Sequence, residues 1–313
     1  MNEKLITVFG ATGAQGGGLA RAILADPASG FRVRAITRKV DSDAAVALAD
    51  AGAQIVAADL DDAESVRRAM HGAYGAFCMT NFWEHFSPEK ELQQAETMAE
   101  AAKAEGLQHV IWSTLEDTRE LMPVGSGQMP VLMDKYNVPH FDAKGEANHF
   151  FLDRKLPVTL LYTSFYWENF IGFGMGPAAG PDGTLALYMP LADMHLPGIA
   201  VEDIGRCAFG VFKAGVAALP QSVGIAGEHL SGREMAEAFS EVMGKPVVYN
   251  AMSFDDYRAL GFPGAEDLGN MYQFKCEHEH DFRAARSTAV SHELNPALMT
   301  FRQWLDANRS AFT

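Results

Sequence analysis

A run of five β-favouring residues, Leu5–Phe9 (LITVF), stops at Gly10, and further glycines follow at 13 and 16. The apolar residues Leu19, Ala20, Ile23 and Leu24 then recur at helical spacing. A buried strand, a G-x-x-G-x-x-G turn and an amphipathic helix, in that order, admit few folds. Gly10 permits the tight turn, Gly13 lets the backbone approach a bound group with no Cβ in the way, and Gly16 lets the helix pack closely on the sheet. The helix start offers unpaired N–H groups and the positive end of the helix dipole to an anion. The spacing departs from the usual G-x-G-x-x-G, and glycines alone are a weak signal. The strand before them and the helix after them make the turn a dinucleotide pyrophosphate site.

The rest of the first half supports this reading. Strand-like runs at Phe31–Thr37, Gln54–Ala57, Ala73–Thr80, Val110–Ser113 and Val158–Tyr162 alternate with helical patterns. One helix covers Ser42–Ala51 with Ser42 as its N-cap, and a long one begins near Pro88. Strands separated by helices need crossover connections and are therefore parallel. The predicted class is α/β, a doubly wound parallel sheet with a second, smaller lobe. Residues 1–160 form the nucleotide-binding domain and 161–313 mainly the smaller lobe, with segments within about 198–253 returning to the first domain. Gly174–Gly183 is rich in Gly and Pro and reads as loop. Val201–Gly215 and Gly232–Met243 read as helices, and Val247–Met252 as a strand.

Cofactor choice is read at the end of the second strand. An NAD enzyme places an acid there for the 2′-hydroxyl, but this chain has Thr37-Arg38-Lys39 and no acid before Asp41. A guanidinium pairs bidentately with a 2′-phosphate, so the preferred cofactor is NADP. The plainer alternative makes Arg38 a solvated strand end. Asp59 and Leu60, after the third strand, are placed for the adenine edge.

Composition removes other classes. Apolar residues make up 48% and charged residues 21%, which suits a globular chain with ample core. With 25 basic and 40 acidic residues the net charge is −15, which repels a phosphate backbone, so nucleic acid is not a direct ligand. Cys78, Cys207 and Cys276 are far apart and share no metal spacing, as reduced cytosolic thiols do. No apolar run suits a signal peptide or a membrane span, so a cytoplasmic protein is expected.

Several segments together resemble the NmrA-like family of atypical short-chain dehydrogenases/reductases, closest to its NADPH-sensor branch, the HSCARG-type proteins. They are GATGAQGG, Thr37-Arg38, Thr80-Asn81-Phe82-Trp83-Glu84, His140–Glu146, Tyr166-Trp167-Glu168-Asn169, and Gly261–Ala265 with Asn270-Met271. The resemblance implies that Gly10, Thr12, Gly13, Ala14, Gln15 and Arg38 hold the pyrophosphate and adenosine. It places Thr80, Asn81, Phe82, Lys144, Phe165, Tyr166 and Asn169 around the nicotinamide, and it implies a homodimer.

Ordinary members of the superfamily use Tyr-x-x-x-Lys, in which the lysine holds the ribose and the tyrosine donates a proton. Lys144 matches the lysine, but four residues earlier stands His140. It reads either as a substitute proton donor or, more plainly, as a helix-start residue facing the cleft. Ser113 stands where the superfamily keeps a substrate-polarising hydroxyl. Cys276–Asp281 (CEHEHD) looks metal-binding by composition, but residues two apart on a helix diverge, so polar surface is the better reading and no metal is expected. Phe165, Tyr166, Trp167, Phe170 and Phe173, with Phe82, Trp83 and Phe86, form either a wall for a small apolar substrate or core. Two functions follow. One is a redox sensor that reads NADP(H) and acts through protein partners; the other is an NADPH-dependent reductase of a small carbonyl, enone or quinone.

Overall fold

In the computed structural model, residues 3–180 and 183–312 are described. Thirteen strands occur among them: β1 (Lys4–Val8), β2 (Phe31–Thr37), β3 (Gln54–Ala57), β4 (Gly75–Cys78), β5 (His109–Thr114), β6 (Val158–Tyr162), β7 (Phe165–Tyr166), β8 (Ala178–Ala179), β9 (Leu185–Met189), β10 (Leu196–Ile199), β11 (Ser222–Gly224), β12 (Glu228–Leu230) and β13 (Val247–Ala251). Seven of them form one parallel sheet in the order β11-β6-β5-β4-β1-β2-β3. Chain direction across the sheet reverses between β1 and β4. In a doubly wound sheet, ligands bind outside the carboxyl ends of the strands at that switch point.

Helices cover both faces, which is why β4 and β5 are buried along their whole length. On one face Ala14–Leu24 packs against Val201–Ala214, backbone to backbone. A Cβ at Gly205 would stand 2.1 Å from the carbonyl carbon of Gly18. On the other face lie Ala63–Met70, Pro88–Ala104 and Pro139–Asp153, whose apolar sides pack with Phe77's neighbours Ala76 and Cys78 and with Trp112. After Val201–Ala214 the chain returns to the large sheet, and β11 pairs with β6.

The smaller lobe holds two three-stranded sheets, β12-β10-β7 and β13-β9-β8. Its core joins Trp167, Phe170, Phe239, Phe301 and Trp304. The segment expected as loop at Gly174–Gly183 contains β8, because Ala178 and Ala179 pair antiparallel with β9; residues 181 and 182 of it lie outside the described residues. The sequence pattern marks no helix at Ala265–Glu277, yet one forms. Its buried residues, from Ala265 and Asp267 to Phe274 and Lys275, lie on several faces and leave no single apolar stripe to read. No helix among the described residues is long and apolar enough to cross a membrane.

Candidate active site

The glycine turn has the geometry its sequence demands. Gly10 lies at φ +65°, a conformation that favours glycine, and the Gly13 N–H donates to the Gly10 carbonyl at 2.9 Å. A Cβ at Gly16 would lie 2.6 Å from the carbonyl oxygens of both Phe9 and Gly10, so that position closes the helix onto the strand. A Cβ at Gly13 would meet only the Gly10 oxygen, at 3.3 Å. That contact is tight, yet far milder than those at Gly16. Gly13 is the N-cap of Ala14–Leu24, no side chain caps that helix, and Thr12, Gly13 and Ala14 are exposed. Uncapped N–H groups at an exposed helix start fit a pyrophosphate.

Arg38 follows β2 and is exposed, and its guanidinium grips the Glu84 carboxylate through both Nη atoms, with Nη2 to Oε2 at 3.1 Å. Asp59 is exposed after β3, where its carboxylate accepts the Asp61 N–H at 3.0 Å; Leu60 beside it is half-buried. These residues and the turn line the β1–β3 part of the sheet edge.

At the β4–β5 part, the groups expected to do chemistry are engaged with one another. Lys144 donates to the Thr80 carbonyl (3.0 Å), to Thr80 Oγ1 (2.7 Å) and to Glu91 Oε1 (2.5 Å). An ammonium has three donors, and all three are used. Thr80 Oγ1 in turn donates to Glu91 Oε1 at 2.5 Å. Glu91 is wholly buried, and His85 Nε2 faces its other oxygen at 3.4 Å. Burial pushes the Glu91 carboxyl up, but the Lys144 charge, the nearby His85 ring and the hydrogen bonds from Lys144 and Thr80 outweigh it and hold it at about 2.

His140 is also committed. Its Nδ1 lies 2.6 Å from Asp267 Oδ1, and its backbone N–H donates to Oδ2 of the same carboxylate at 3.2 Å. Asp267 therefore caps the start of Pro139–Asp153 from the smaller lobe, where Val138 supplies no side-chain cap. His140 thus sits in the first turn of its helix, buried beside Phe82 and Trp83. Ser113 Oγ donates to Gln15 Oε1 at 2.7 Å, and Gln15 Nε2 donates to the Tyr166 hydroxyl at 2.5 Å. That chain ties β5, the helix after the glycine turn and β7 together, and burial raises the Tyr166 phenol above its ordinary range.

The remaining residues divide. Asn81 is exposed and precedes the short helix Phe82–His85, whereas Phe82 is buried against Trp83 and His140. Phe165 packs on Phe170 within the smaller-lobe core, and Asn169 begins the helix Asn169–Gly172, half-buried. Of the aromatic group, Trp167 and Phe170 are core, while Phe173 is 76% exposed. The residues of Cys276–Asp281 go separate ways: the Cys276 thiol faces backbone carbonyls at 190 and 191, Glu279 pairs with Arg283, and His280 points to solvent beside Asp281.

Two partners escaped the sequence. Glu91 had a usable signal, since it shares the buried stripe of its helix with Ala95, Met98 and Ala102, and a carboxylate on such a stripe requires a cation. Asp267 had none, because 127 residues separate it from His140.

The oxidoreductase FrzB of Cladobotryum sp., named for its NmrA-like family domain, is 29% identical over 301 residues, covering 86% of this chain and 83% of FrzB. The similarly named oxidoreductase notA′ of Aspergillus versicolor is 34% identical over 229 residues, 67% of this chain and 61% of notA′. Among solved structures, the negative transcriptional regulator NmrA in complex with NADP matches with a TM-score of 0.78 at 23% identity, covering 98% of this chain and 95% of NmrA. The triphenylmethane reductase of Citrobacter sp., complexed with NADP(H), matches at 0.73 and 20%, covering 97% of this chain and 99% of the reductase. At these identities the structural matches speak to fold alone, and none of the comparisons singles out the NADPH-sensor branch. The NmrA-like family profile matches residues 2–305, nearly the whole chain, and the protein belongs to the NmrA-like family.

Proposed function

We propose that the protein is an NADP(H)-dependent reductase whose acceptor is an enone or a quinone. The observation that carries the cofactor half is the exposed, uncapped helix start at Gly13, where the backbone keeps clear the space a pyrophosphate needs. Gly10–Gln15 would hold the pyrophosphate, Arg38 the 2′-phosphate, and Thr80, Asn81 and Asn169 the nicotinamide end. Bound NADPH would supply a hydride. Support for turnover comes from the relatives, FrzB and notA′ among them, which are named as oxidoreductases. The regulator reading has less support, because NmrA resembles this chain in fold only.

The side chains support this acceptor class. Ser113 donates to Gln15 and Lys144 spends its three donors on Thr80 and Glu91, while His140, its Nδ1 held by Asp267, is buried against Phe82 and Trp83. An unactivated ketone needs a proton as the hydride arrives. An enone or quinone spreads the incoming charge over its own conjugated oxygen and takes its proton from water afterwards. NADPH oxidation, followed by absorbance, tests this against a panel of quinones, enones and simple ketones. Quinones and enones should turn over at least ~10-fold faster than simple ketones, a difference of ~1.4 kcal/mol in barrier. If NADPH binds but no member of the panel oxidises it, the reductase reading fails and the sensor takes its place.

A further inference from the structure

In the large sheet β1 lies between β2 and β4, so the two outer strands end about 10 Å apart. Arg38 follows the first of them and Glu84 follows the second, yet their side chains meet fork to fork. The pair therefore spans β1 close to its glycine turn, across the line an adenosine ribose must follow to reach the pyrophosphate site. Other charges press on the same guanidinium: Asp59 and Asp61 both act on it, although Asp61 is itself held by Lys90 at 2.6 Å. Lys39 beside it is exposed.

We propose that Glu84 is a specificity-determining residue that occupies the guanidinium a 2′-phosphate requires, so that NADP(H) binds by displacing it and NAD(H) binds without doing so. This rests on the cofactor reading above. A phosphate monoester carries close to two charges near neutrality and outcompetes one carboxylate for the fork. Glu84 is 46% exposed, so once released it returns to water at little cost. NAD(H) presents a hydroxyl there, which donates a hydrogen bond to the carboxylate and leaves the pair in place. Glu84 thus narrows the gap between the two cofactors, and removing its charge widens it.

Calorimetric titration of wild type and Glu84→Gln with NADPH and with NADH tests the proposal. An exposed pair is worth at most ~1 kcal/mol, so Glu84→Gln should bind NADPH about two- to five-fold more tightly. NADH affinity should stay within about two-fold of wild type, since the weaker hydrogen bond lost is also solvent-exposed. The gain should shrink in an Arg38→Ala background and fade at high salt, which screens exposed charges. NADPH affinity that is unchanged or weaker in Glu84→Gln overturns the proposal, for it would mean that Glu84 merely positions Arg38. Wild type that binds neither cofactor overturns the cofactor reading as well; normal binding with an unchanged NADPH-to-NADH ratio overturns the role of Glu84 alone. Both side chains are exposed, so the variants should keep the fold, which matching thermal melts verify.

Discussion

Two stretches of one sheet edge are built by opposite means. At β1–β2 the groups open to a ligand are backbone N–H groups of an exposed glycine turn and one exposed guanidinium. At β4–β5 the polar groups are side chains locked in buried pairs: Lys144 with Glu91, His140 with Asp267, Ser113 with Gln15. The first stretch can change partners cheaply, since its groups already face water. The second cannot, because its groups are buried or nearly so and have little water to replace a lost partner. On the cofactor reading proposed above, the open stretch would take the phosphates, while the locked stretch holds its own elements together.

The largest test of this contrast is Glu91→Gln. It leaves the Lys144 ammonium nearly buried without its countercharge, and unfolding by denaturant at pH 7 should show a loss of about 3–5 kcal/mol. The acid limb supplies the sign. Glu91 titrates at about 2 in the folded protein against an ordinary 4.5, so its contribution is complete above 4.5 and is lost as pH falls towards 2. Wild type should lose stability across that window, and Glu91→Gln should show a shallower loss. A variant as stable as wild type would erase the contrast.

The open stretch should respond in the other way, with binding lost and stability kept. Gly13→Val puts a branched side chain where the pyrophosphate approaches. Gly13 has φ −101° and ψ −165°, an extended conformation open to any residue, so the fold should survive. NADPH affinity should fall at least ~100-fold, or ~2.7 kcal/mol, with the unfolding midpoint unchanged. Unaltered affinity in the folded variant would move the site elsewhere. A smaller loss of binding is expected for Arg38→Ala. NADPH binding should weaken by ~1.5 kcal/mol, the low end for a hydrogen bond to a charged group, because Arg38 gives up Glu84 to make the new contact. NADH binding should change little. Equal losses for both cofactors would show that Arg38 does not read the 2′-phosphate.

This contrast also explains which residues the sequence could reveal. The glycine turn works through φ angles and missing Cβ atoms, and these are properties of consecutive residues. Ser42 as a cap is legible for the same reason: its Oγ accepts from Ala45, three positions on. Lys144 was found through the family resemblance of its segment, but what that resemblance could not supply was its partner. Glu91 is 53 residues away on another helix, and the pair forms only when Pro88–Ala104 and Pro139–Asp153 pack side by side over the sheet. The helix Ala265–Glu277 is the extreme case. Buried on several sides, it carries Asn270, which donates to the carbonyls of Pro130 and Asn137, and Asp267, which caps the helix carrying His140.

By itself, then, the chain's order of residues determined the alternation of strands and helices, hence a doubly wound parallel sheet, and marked the glycine turn, since these follow from short-range periodicity and backbone freedom; the strand order and its switch point came only from the fold. Only the tertiary structure decided which charges are free and which are spent. Arg38 and Lys144 look alike as cations in a sequence. One is exposed and exchangeable because its partner Glu84 also faces water; the other is fixed because Glu91 is buried and has no solvent to fall back on. Desolvation depends on what packs around a group from distant parts of the chain, and no local pattern encodes it.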